Sequence, residues 1–313
     1  MKLSFCTDSL GYLPYEQILD RLCELGVSGV EMTVGGWSSA PHLRADELLK
    51  DASKRRSFKE ALESRGLEIA ALNVSGNPLD PGALGMKHKS DTDKTIRLAE
   101  LLGVKKIVMM SGLPPASSED RIPNWITSTV SWPPSLKDCL DYQWNDVAIP
   151  YWHQLVSQAK ACGVEKFALE NFSSMLVWNP ATLFRLRDAV GPMVGLNLDP
   201  SHMMWMGADP IAAARALGDA IHHVHGKDVR LERGIVDVNG LLETRPIEDV
   251  ARRSWNYVAV GCGKDLQWWK EFFSVVRMTG YNDWVSLEME DLTMSVEAGI
   301  KTSVEALKQT ISQ

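Results

Sequence analysis

The sequence predicts one domain, residues 1–313, folded as a (β/α)8 TIM barrel with long insertions after the fourth and seventh strands. Three observations predict it. Strand-like runs alternate with helix-like runs through eight cycles, which implies a parallel sheet. The length, 313 residues, exceeds an ordinary domain but suits a barrel of roughly 250 residues plus insertions. Four consecutive strand candidates also deliver an ionisable side chain at their C-terminal ends, where such a barrel carries its active site. An open doubly wound sheet would usually show a Gly-rich loop after the first strand; TDSLGYLPYE stands there instead.

The elements follow in order. Lys2 to Thr7 reads as a strand, and a helix from Pro14 to Leu25 is closed by Gly26. Gly29 to Val34 is a second strand, with one helical stretch from Arg44 to Arg65. Glu68 to Ser75 is a third, with a helix from Asp91 to Leu102 stopped by Gly103. Lys105 to Ser111 is a fourth. Gly112 to Asn145, rich in Pro, Ser and Trp and without a sustained period, reads as a long loop over the barrel mouth, and loops of this length usually serve function. A helix from Ile149 to Ala161 leads to strands at Lys166 to Asn171, Val194 to Asp199, Ile221 to Asp228 and Asp283 to Asp291. Helices at Pro180 to Val190, Pro210 to Ala220 and Leu266 to Met278 separate them, and a second insertion, Val229 to Lys264, follows the seventh strand. Val296 to Ser312 reads as the last helix.

Composition narrows the function classes. The chain is 45% hydrophobic and 23% charged, as soluble globular proteins are. A net charge of −7, with no basic cluster, argues against nucleic acid or an anionic membrane as partner. No run approaches the roughly 18 apolar residues of a membrane span. MKLSFCTDSLG enters a strand directly, without the features of a signal peptide, so the expected compartment is the cytoplasm. Five scattered cysteines, Cys6, Cys23, Cys139, Cys162 and Cys262, indicate neither a disulfide framework nor a thiolate zinc site, and are expected to be reduced and largely buried.

The chemistry is read from Val194 to His202, VGLNLDPSH. Side chains alternate along a strand, so Leu196 and Leu198 face one way and Gly195, Asn197 and Asp199 the other. Pro200 ends the run. Asp199 is then either the cap of a turn or a functional side chain at the barrel mouth. The same punctuation recurs in KFALEN with Glu170, IHHVHGKD with His225 and DWVSLEMED with Glu288. Three carboxylates and one imidazole suit a hard divalent cation, Mn²⁺ first and Mg²⁺ or Co²⁺ next, in a single site. The alternative is that some of them pair with Arg or Lys inside the barrel. By parity His223 and His225 point inward, with His225 nearer the rim as ligand and His223 a satisfied core histidine below it, while His222 faces the helices. Lys227 and Asp228 lie at the mouth, as substrate contacts or as a solvated charge pair.

The series ALEN, NLDPSH, HHVHGKD and SLEMED, in this order and spacing, resembles the sugar phosphate isomerase/epimerase superfamily with a xylose-isomerase-like barrel. Its members include ketose 3-epimerases, inosose dehydratase, hydroxypyruvate isomerase and enzymes that cleave 3-keto-glycosides. The resemblance extends to SGNPLDP (residues 75–81), PNW (123–125) and DYQW (141–144), and so to nearly the whole chain. It implies metal ligands at Glu170, Asp199, His225 and Glu288, an acid/base pair at Glu170 and Glu288, and a substrate-contacting histidine at His202. Asn73, Trp125, Trp205, Lys227 and Asp228 complete the expected substrate contacts. Two departures stand out: Phe172 and Met289 occupy positions where close relatives often carry histidine, which makes the surroundings of the ligands more apolar.

A cation bridging a ketone oxygen and a neighbouring hydroxyl would stabilise the enediolate left by proton removal, and carboxylates on opposite sides could remove and return the proton. Six of the eleven tryptophans (Trp125, Trp132, Trp144, Trp178, Trp205 and Trp255) fall in or beside loops, where flat rings suit sugar faces or aryl groups, or simply pack the loops. EDLTMSVEAG after the eighth strand lacks a Gly-rich phosphate loop. The expected activity is therefore isomerisation or epimerisation of an unphosphorylated keto-sugar. The alternatives are a lyase acting through the same intermediate, on a 3-keto-glycoside, C-glycoside or keto-inositol, and a non-catalytic sugar-binding module. The expected partner is a small sugar or glycoside; a homo-oligomer or a complex with a second subunit stays open.

Overall fold

The computed structural model describes residues 1–127 and 135–311. Its strands are β1 (Lys2–Cys6), β2 (Gly29–Thr33), β3 (Glu68–Asn73), β4 (Lys106–Met109), β5 (Lys166–Glu170), β6 (Val194–Leu198), β7 (Ile221–Gly226), β8 (Asp228–Leu231), β9 (Trp255–Val258) and β10 (Trp284–Leu287). Eight of them close into a barrel in the order β1-β10-β7-β6-β5-β4-β3-β2. The other two, β8 and β9, pair as a separate antiparallel ribbon. The chain divides into two compact units, residues 1–31, 61–70 and 197–313 in one and residues 32–60 and 71–196 in the other.

Strands covered on both faces need apolar side chains at nearly every position. Accordingly β2, β4, β6 and β10 are buried along their whole length. Alternation then sorts the side chains. In β5, Phe167 packs edge-on against Trp152 of helix Ile149–Ala161, so Ala168 and Glu170 take the opposite face. Ala71, Val108 and Ala168 cluster on that side of β3, β4 and β5, a layer of small residues. In the first unit the corresponding layer is polar: Ser4 and Ser286, opposite each other in the β1–β10 register, are joined Oγ to Oγ at 2.8 Å.

Helices differ from expectation where capping intervenes. The stretch from 44 to 65 forms two helices, Ala45–Lys50 and Ala52–Glu63, because Asp51 turns extended and its carboxylate accepts from Ser53 and Lys54 N–H. The next helix starts at Ala83, well before Asp91. The first insertion is not all loop: it ends in a helix, Ser135–Asp141, and a π-helical segment, Tyr142–Ala148. Trp132 and Ser312 lie outside the described residues. The second insertion holds most of the ribbon and a short helix, Val236–Asn239. The cysteines are free, but only Cys6 is buried; Cys23 and Cys262 are exposed, because one sits on an outer helix and the other in a turn rather than on a barrel strand. No described helix is long and apolar enough to cross a membrane.

Gly36 shows how tightly one connection is made. Its φ is +75°, and a Cβ there would stand 2.1 Å from the Ser75 carbonyl oxygen. Gly66 has a similar φ, +66°, with nothing near the same position. Gly66→Ala should therefore cost about 1–2 kcal/mol from backbone strain alone, and Gly36→Ala clearly more. Urea unfolding of both variants checks this; equal losses would show that the strand connection yields freely.

Candidate functional site

In the unit built on β1, β7 and β10, ionisable side chains meet at the C-terminal ends of the strands. Asp199 follows β6 and caps the short helix Pro200–Trp205: its Oδ1 accepts from Ser201 N–H at 2.8 Å and from Ser201 Oγ at 2.6 Å. The capping reading of this residue holds for Oδ1, while Oδ2 lies 3.4 Å from His202 Nε2, 3.8 Å from His225 Nδ1 and 4.0 Å from Lys227 Nζ. Glu288 follows β10, and its Oε2 lies 3.3 Å from His225 Nδ1 and 2.9 Å from Lys227 Nζ. His225 Nδ1 is buried and faces both carboxylates.

Lys227 is 3% exposed, so it is no solvated loop charge. Besides Glu288 it pairs with Glu290, and its ammonium stands 4.3 Å from the centre of the Tyr257 ring. Burial works against its charge, but the neighbouring carboxylates, Glu288 first, push its pKa well above the usual lysine value. The same balance operates on Glu288: burial would raise its carboxyl, yet Lys227 and His225 bring it down to about 2. For Asp199, burial is outweighed by His202, His225 and Lys227, and its carboxyl too is held low.

Beneath this group lies a second polar layer. His223 Nε2 is 2.8 Å from Glu31 Oε2 and 2.8 Å from Ser286 Oγ, the position of a satisfied core histidine that parity predicts. Glu31 is fully buried in the middle of β2. Sequence reasoning misses it, although a glutamate inside GVEMT is a signal, because glutamate is almost never fully buried unless paired.

The remaining expected residues are placed as follows. His202 is buried, with Nδ1 3.1 Å from the Tyr257 hydroxyl. Asp228 turns away from the substrate-contacting role: its oxygens accept from the backbone N–H of Val229, Gly261, Gly263 and Lys264 and from the Trp269 indole, binding the loop after β9 to the end of β7. Trp205 stacks on Trp255 at 4.6 Å and 10° within an apolar cluster that includes Met204, Val229 and Tyr257, so it packs the ribbon against its helix. In the other unit Glu170, 3% exposed, ends β5, and Asn73 is buried with Oδ1 accepting from Ser75 N–H at 2.7 Å. Phe172 lies 6.0 Å from the Trp37 ring. Trp125 meets Trp178 edge-on at 6.4 Å, beside a cavity of about 360 Å³ also lined by Trp144, Met175 and Arg185.

A family model described as xylose isomerase-like TIM barrel matches residues 19–310. The chain is 70% identical over 313 residues to the uncharacterised protein YfiH of Bacillus subtilis strain 168, with the whole of both chains covered. Among solved structures, it is similar to the probable 3-DHS dehydratase AsbF involved in petrobactin synthesis from Bacillus anthracis, with 18% identity, a TM-score of 0.68 and coverage of 98% of this chain and 99% of that one. It is also similar to the IOLI protein with a binding zinc atom, with 21% identity, a TM-score of 0.66 and complete coverage of both chains.

Lys227→Met removes the cation beside Glu288, and opening a buried pair costs about 3–5 kcal/mol. The pH dependence should move as well. A carboxyl held at about 2 when folded, against ~4.3 unfolded, stabilises fully above the unfolded value and loses that contribution as pH falls toward the folded one. Without Lys227 the folded value rises toward the unfolded one, so the loss on acidification contributed by Glu288 should shrink and be complete at higher pH. Urea midpoints measured from acid to near-neutral pH in the presence of chelator test this, and superimposable acid limbs would assign the effect to another cation.

Proposed function

The chain belongs to the xylose isomerase-like TIM barrel family, and from that premise we propose that it is a divalent-metal-dependent isomerase or epimerase of an unphosphorylated keto-sugar. The observation that carries this reading is the meeting of Asp199, His225 and Glu288, with both carboxylates facing the buried Nδ1 of the imidazole. Glu170, the buried end of β5, is proposed as the fourth ligand of the set. Three carboxylates and one imidazole, without thiolate, fit a divalent cation of the Mn²⁺, Mg²⁺ or Co²⁺ kind, and zinc, the ion bound by the IOLI protein, is compatible with the same donors. Bound there, a cation supplies Lewis acidity toward substrate oxygen.

The chain's own residues then have distinct tasks. Glu170 and Glu288 remove a proton from the carbon beside the ketone and return it. Lys227 keeps Glu288 ionised and therefore able to accept. His202, held through Nδ1 by the Tyr257 hydroxyl, orients a substrate hydroxyl. General acid/base catalysis of this kind contributes about 10²- to 10⁴-fold. The cytoplasm is the proposed compartment.

A second reading, a lyase in which the same carbanion expels a leaving group, is favoured by the likeness to a probable dehydratase. Product analysis with keto-sugars and 3-keto-glycosides separates the two.

Elemental analysis should find about one divalent ion per chain. Glu288→Gln should lose most of it, whereas His202→Ala should keep the metal and lose turnover. Retained metal in Glu288→Gln would remove that residue from the ligand set. In deuterated water, product should carry deuterium at the carbon beside the ketone, and substrate deuterated there should show a primary isotope effect. Turnover with neither would replace proton transfer by a hydride shift and cancel the acid/base roles of Glu170 and Glu288.

A further inference from the structure

We propose that Glu31 is a positioning residue that holds the Nε2 edge of the His225 ring, so that Nδ1 is turned toward Asp199 and Glu288 and presented to a metal ion. The inference rests on the proposed role of His225 as ligand.

The geometry is that of two nitrogens with different neighbours. His225 Nε2 faces the fully buried Glu31 carboxylate, 3.3 Å from each of its oxygens, and Cys6 Sγ at 3.8 Å. His225 Nδ1 faces Asp199 and Glu288 instead. Glu31 thus takes up the Nε2 edge of the ring, and the Nδ1 edge is turned to the side of Asp199 and Glu288.

Glu31 is itself anchored. His223 Nε2 holds its Oε2 at 2.8 Å, and His223 is tied through Ser286 to Ser4, each link 2.8 Å long. These residues come from β1, β2, β7 and β10, so the carboxylate is positioned by the barrel and not by a loop. Groups that orient a ligating histidine through its other nitrogen typically change metal affinity about 10- to 100-fold when removed.

The test uses the full chain. With ¹⁵N-labelled histidine, long-range spectra of metal-free protein should show a proton on His225 Nε2, and Zn²⁺ should perturb Nδ1 while Nε2 stays protonated. Calorimetric titration with Mn²⁺ should give a dissociation constant about 10- to 100-fold weaker for Glu31→Gln. His223→Gln should weaken it in the same direction, and the double variant should be little worse than the poorer single one, since both act through one carboxylate. Wild-type Mn²⁺ affinity in Glu31→Gln, or a bare Nε2 in the metal-free wild type, would overturn the proposal. Should Glu31→Gln not fold, the wild-type spectrum and His223→Gln still decide. Should the wild type bind no metal, the proposed function fails by itself, and the metal-free spectrum still reports whether Glu31 sets the ring.

Discussion

Carboxylates brought out of water must be matched by positive charge or hydrogen-bond donors, and much of this structure answers to that constraint. Asp199, Glu288 and Glu31 meet His225 and Lys227 in largely buried surroundings. Each carboxylate would be driven toward its neutral form by burial, and each is held low by those two side chains or by another histidine. Removal of such a charge from water costs several kcal/mol, so an incomplete set would be among the most expensive features of the chain. The donors supplied by Ser201 to Asp199 and by His223 to Glu31 complete the arrangement.

The same constraint explains the division of labour in HHVHGKD. His223 serves the lower polar layer, His225 the boundary between layers, and Lys227 the rim. Asp228, one residue further, serves structure: it gathers N–H groups of the 261–264 segment and so fixes the second insertion to β7. Neighbouring ionisable residues thus divide between site and scaffold by the side of the strand on which they fall.

Alternation makes much of this legible in the sequence. The burial of Asn197 and the inward course of His223 and His225 follow from period-two reasoning. What alternation cannot supply is pairing between distant strands. Glu31 meets His223 across 192 positions, and nothing local to either residue announces the other. Asp228 escapes local reading for the same reason, because partners such as Gly261 and Gly263 belong to a loop beyond the whole second insertion. Local capping chemistry accounts for the smaller differences, as at Asp51, where a side-chain cap divides one helical pattern into two helices.

The β1–β10 seam has a consequence for biosynthesis. Lys2 lies opposite Trp284, so the first strand made must wait for nearly the last before that edge is paired. At ribosomal speeds of about 5–20 residues per second, the delay is on the order of 15–60 s. Throughout it, an apolar strand presents unpaired backbone groups, the condition that invites intermolecular association. A nascent chain of this design therefore carries one open barrel edge until the seam closes, and its yield should respond to translation rate more than its final stability would suggest.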